Sequence, residues 1–94
     1  MMFAKRLRDG VREGRITCSV RIWTRPHVRV GGVYAMEDGH IVVESIRPIA
    51  IGDITGELAR SSGFDGVVDL LKVAKHGSGR NVYLIGFRYV PPSF

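Results

Sequence analysis

Apolar and polar positions alternate with two different periods along this chain, and the change from one to the other sets out its elements. Phe3, Leu7 and Val11 recur every four residues with Ala4 beside them, so residues 2–13 read as an amphipathic helix despite Gly10. Gly14 suits the position just past the helix, where a left-handed backbone is commonly required. The period then shortens to two. Ile16, Cys18, Val20 and Ile22 alternate with Thr17, Ser19, Arg21 and Trp23, a strand over residues 14–23 with one greasy face and one polar face. Such a polar row either lines a pocket or meets water.

Residues 24–32 contain Pro26, His27 and a Gly-Gly pair and read as a loop able to overhang that row. Residues 33–36 and 40–46 form a hairpin about Glu37-Asp38-Gly39, because Asp and Gly tolerate positive φ. Pro48 and Gly52 end its second strand near Ile46 or Arg47. Asp53 caps a short helix over residues 54–62 with Gly63 past its end, and Asp65 caps another, with Val67, Leu70, Leu71 and Ala74 as its buried stripe. Tyr83, Ile85, Phe87 and Tyr89 alternate with Val82, Leu84, Gly86 and Arg88 in a last strand apolar on both sides, as a central strand is. The order predicts an α+β fold. It is a small mixed β-barrel or strongly curved sheet, with an N-terminal helix and two helices before the last strand.

A length of 94 residues holds one domain with one core, and 45% hydrophobic with 24% charged residues is an ordinary globular composition. Residues 1–94 are therefore read as a single domain. The chain begins without the uninterrupted apolar run of a signal peptide or membrane span, and its lone Cys18 can form no internal disulfide. A cytoplasmic protein outside the membrane is expected, with Cys18 a small core residue.

The net charge of +5 matters less than its placement. Residues 1–30 hold eight basic against two acidic side chains, residues 31–70 two against seven, and the remainder four basic ones. A basic first third attracts polyanions such as RNA; a merely solvated face is the competing reading. Within it Arg21 offers a fork for phosphate or a base edge, and Trp23 on the same strand face can stack on a base. Arg15 and Arg25 stand at either end of the strand. Lys75 and Arg80 flank Gly77-Ser78-Gly79, a possible backbone nest for phosphate that lacks the P-loop pattern. The histidines and acidic residues show no metal-ligand spacing.

The order of elements, residues 14–21 directly after the helix, the Val30-Gly31-Gly32-Val33-Tyr34 approach to the hairpin and the strand over residues 81–89 together resemble the ASCH domain of the PUA-like superfamily. That family is marked by a glycine, a lysine two positions on, an acidic or hydroxyl residue three further and an arginine two beyond; Gly14, Ile16, Ser19 and Arg21 stand there. The resemblance spans nearly the whole chain. It implies a PUA-like β-barrel whose cleft binds RNA or a nucleotide-like small molecule, without a cofactor.

The smallest ASCH enzymes, similar in length, hydrolyse N4-acylated cytidines with a lysine, a threonine and a glutamate. Ile16, Ser19 and, on or near its position, Ser62 occupy those places. Ser19 is then the one candidate nucleophile, with Lys75, His76 or Glu57 as conceivable bases, since Ile16 cannot be one and Arg15 does not deprotonate. The expected function is a non-catalytic module binding RNA or a modified nucleotide through Thr17, Ser19, Arg21 and Trp23. A diverged amidohydrolase acting on an N-acylated nucleoside is the alternative.

Overall fold

A computed structural model describes residues 1–74 and 79–92. Three helices, α1 (Lys5–Arg12), α2 (Gly56–Ser61) and α3 (Val67–Ala74), accompany four strands, β1 (Cys18–Trp23), β2 (Val33–Met36), β3 (Gly39–Ile49) and β4 (Asn81–Val90). The strands form one curled sheet, a half-barrel in the order β1-β4-β3-β2. All three pairings are antiparallel, so the sheet is not mixed, and β1 and β2 remain its edges. β4 is central, as its two apolar faces require.

Helix α1 begins at Lys5 rather than Met2. Ala4 is still extended (φ −56, ψ 142), which carries Phe3 onto Phe87 with ring centroids 5.2 Å apart. The helix ends as its sequence asks. Gly14 takes φ 79, its amide donates to Val11 O, and the Arg15 amide donates to Gly10 O at 2.9 Å, the paired bonds of a Schellman motif.

Directly beyond that turn Ile16 enters a slot bordered by two glycines. A Cβ on either Gly10 or Gly63 would stand 2.6 Å from Ile16 Cδ1. The end of α1, the approach to β1 and the turn after α2 thus close on one buried side chain, in a core that also takes Leu7, Val20, Phe64, Leu70 and Phe87. Outward of it, α1 packs on β4 and α3 on β1.

Three local expectations are corrected by satisfied polar groups. Pro48 does not end β3, which runs on to Ile49. β2 covers only Gly39 to Val42, so Pro48 pairs with Tyr83 on one side and needs no donor on the other. The hairpin turn is Glu37-Asp38, one residue early: Met36 pairs with Gly39, and Glu37 is the residue with positive φ, 53°. The cap of α2 is Thr55, whose hydroxyl accepts from Leu58 N at 3.1 Å, while Asp53 turns back to the amide of Ala50 at 2.9 Å. Before α3, the Asp65 amide donates to the carboxylate of Asp69 at 3.1 Å.

The slot around Ile16 sets an order of costs. Gly14→Ala meets no atom within 4 Å and carries only the left-handed penalty, roughly 1–2 kcal/mol. Gly63→Ala (φ 95) adds an overpacking cost of roughly 1–3 kcal/mol against Ile16 and Leu7. Urea unfolding of the two variants should rank Gly63→Ala clearly the less stable; equal stabilities would refute the slot.

Candidate functional site

A cleft of about 540 Å³ opens over the polar row of β1. Ser19, Arg21 and Trp23 come from the strand itself, because alternate side chains share a face. Phe3 and Leu7 close one wall, Phe64 with Val73 of α3 another, and His27 reaches in from the loop over residues 24–32. That loop is anchored. Val28 is buried against Val43 and Ile85, and the Gly31 amide donates to Val43 O at 2.8 Å.

Arg21 is the centre of the site. Its Nε donates to Ser19 Oγ at 2.8 Å, its Nη2 donates to the carbonyl of Met2, and its guanidinium lies 5.2 Å from the Phe3 ring centroid. Both acceptors are neutral. Among the described residues no carboxylate comes within ion-pairing distance of it, although Arg6, Arg8, Arg12, Arg15 and Arg88 all have one. Burial pushes the Arg21 pKa below its ordinary value. Burial, and secondarily the charge of Arg21, lowers that of the Met1 amino group as well. Among the described residues the cleft therefore holds positive charge with no protein anion to answer it.

Trp23 is half-buried and stacked on the imidazole of His27, centroids 4.5 Å apart and planes 15° from parallel. Tyr83 of β4 flanks it at 6.2 Å with its ring tilted by 39°. Ser62, 2% exposed, donates to Leu58 O at 3.0 Å and lies 3.5 Å from Cys18 Sγ. Cys18 is a half-buried free thiol.

Three of the four residues of the polar row share this cleft. Thr17 does not: it is exposed before the start of β1, where its carbonyl accepts from Phe87 N. Arg15 is drawn to Glu13 at 2.7 Å, at the far end of the strand. Arg25 is exposed on the loop without an ion pair among the described residues, and Arg80 lines a separate hollow of about 310 Å³ with Pro48 and Tyr83. Gly79 packs against the backbone of Trp23. Lys75, His76 and the rest of the Gly77-Ser78-Gly79 nest lie outside the described residues.

Glu57 sits exposed in the first turn of α2, and the recorded partner of Ser19 Oγ is the Arg21 guanidinium, a donor rather than a base. Sequence reasoning missed Phe3 and the Met2 carbonyl as parts of the site. Their only sequence signal is the apolar Phe3-Leu7-Val11 stripe, which reads as helix and hides the extended start. The described residues hold no group of three His, Cys, Asp or Glu able to bind a metal, and no helix long and apolar enough to cross a membrane.

No family model, curated protein or solved structure matches this chain.

Two walls of the cleft are tied together by Arg6 of α1 and Asp69 of α3, 3.2 Å apart. The Asp65 amide first, and Arg6 second, hold the Asp69 carboxyl below its ordinary pKa. A depressed carboxylate contributes stability fully present above the unfolded aspartate value of about 3.9 and lost as pH falls through the folded one. Acid unfolding of Asp69→Asn should accordingly lack that part of the wild-type loss below about pH 4, with the two proteins differing most at neutral pH; parallel curves would show that the pair contributes nothing.

Proposed function

We propose that this protein is a small binding module of the ASCH type, with a PUA-like half-barrel, whose cleft takes a nucleotide, free or as part of single-stranded RNA. The observation that carries the reading is Arg21: a half-buried guanidinium with neutral protein acceptors and, among the described residues, no carboxylate, on the strand face that also presents Trp23. A phosphate supplies the missing charge through short, charge-assisted hydrogen bonds. An indole two residues away supplies a surface for a base.

Binding is supported over turnover. Hydrolysis through Ser19 requires a base to take the hydroxyl proton, and the group that touches this hydroxyl stays protonated at any physiological pH. Ile16 fills the place of the family's lysine and is buried in the core.

Trp23 is the sole tryptophan, so its fluorescence reports the cleft directly. Titration with uridine 5′-monophosphate, uridine and hexauridylate should change the emission. Binding of the phosphorylated ligands should weaken at least about tenfold in Arg21→Ala, as loss of a charge-assisted pair implies. No response to any of the three, or unaltered affinity in the variant, would remove the reading. Incubation with N4-acetylcytidine should release no cytidine above the uncatalysed rate; steady release abolished by Ser19→Ala would make the protein a hydrolase instead.

A further inference from the structure

The ligand's size and its mode of seating follow from how the charges and rings around the cleft are already engaged. This inference rests on the nucleotide-binding reading above and narrows it. The arginines of α1 and of the turn after it, which a nucleic-acid backbone would need, are occupied: Arg6 by Asp69, Arg8 by Glu37, Arg12 by Asp9 and Arg15 by Glu13. Among the described residues the cleft holds one side-chain cation, Arg21, with the Met1 ammonium near it, between apolar walls built from Phe3, Leu7, Phe64 and Val73. A second phosphate drawn in against those apolar walls would lose its hydration and, among the described residues, gain no second guanidinium.

The ring seat is also visible. His27 lies parallel on Trp23 at 4.5 Å, a spacing with no room for a third ring between them. Tyr83 is fixed in β4, whereas His27 is exposed on its loop beside the buried Val28. His27 can leave the indole while the loop stays anchored. Arg21 and Trp23 stand two residues apart on one strand face, about 6.6 Å along it, which suits an anion and a ring in the same small molecule.

We infer that the ligand is a small planar ring carrying a single anionic group, phosphate or carboxylate, which binds with its anion on Arg21 and its ring in the place His27 holds against Trp23. The protein's own imidazole is then a competitor for the seat. RNA, with its charge distributed along a chain, is the poorer ligand.

The test compares uridine 5′-monophosphate, orotate and hexauridylate at several salt concentrations, by Trp23 fluorescence, in wild type and in His27→Ala. A single anionic group held by one guanidinium should lose affinity with a log–log salt slope no steeper than about −1, whereas each phosphate engaged along a strand adds about −0.7. At least one of the two small ligands should bind as tightly as hexauridylate or more tightly, and the comparison between them tells phosphate from carboxylate. His27→Ala should bind the preferred small ligand about two- to tenfold more tightly, the range that removal of one stacked ring implies. Hexauridylate binding more than tenfold more tightly than both, with the steeper slope, would overturn the inference and leave the nucleotide reading standing. Unchanged or weaker binding in His27→Ala would overturn the ring exchange. Silence from all three ligands in wild type would overturn this inference and the reading beneath it together.

Discussion

The fold turns on one side chain and two absent ones. Ile16 enters the core between Gly10 and Gly63, each bare of the Cβ that would exclude it, and so joins the end of α1, the approach to β1 and the turn joining α2 to α3. β1 is an edge strand of the sheet, yet this junction buries Ile16 two residues before its start. With that end held, the alternation of the strand fixes which residues face the cleft, and the walls of the cleft come from the segments that the junction joins.

The same geometry separates this chain from any enzyme that would use a lysine at position 16. A lysine there would have to thread its ammonium through a space fitted to a branched apolar side chain, and a charge buried without a partner is costly. The site has been organised around Arg21 instead. Its guanidinium takes support from below by Ser19, from the side by the Met2 carbonyl and from the face by Phe3. Among the described residues it has no carboxylate partner, and this unmet electrostatic demand in a partly buried position is what supports the binding reading proposed above.

Much of this was legible in the chain. Period-two alternation located β1 and its two faces, β4 announced itself as central by being apolar on both sides, and Gly14 marked the end of α1. What escaped was decided by partners that lie far away in sequence. Pro48 continues β3 because the sheet is one-sided there, and Asp53 loses the α2 cap to Thr55 through a turn that only the backbone reveals. The extended run before Lys5 is invisible in a stripe that fits a helix equally well; Phe87, across the core, pulls Phe3 out of it. Among the arginines, sequence counts charges but not pairings, and four of the seven in the first third prove to be answered by carboxylates. Two of those carboxylates, Glu37 and Asp69, lie outside the basic third, so part of its charge is answered by the acidic middle of the chain.

The half-barrel stops short of closing, and on the side away from β4 the part of β3 beyond Val43 has no strand beside it among the described residues. Unpaired amides and carbonyls in such a row invite a strand from another molecule. Here the row is broken by a bulge between Val43 and Ser45 and then carries Glu44, Arg47 and Pro48 in exposed positions. A charge of each sign and a residue with no amide hydrogen make a poor template for a neighbouring chain. The proline that looked like the end of a strand instead continues it, and leaves its open side without an amide that a second strand could use.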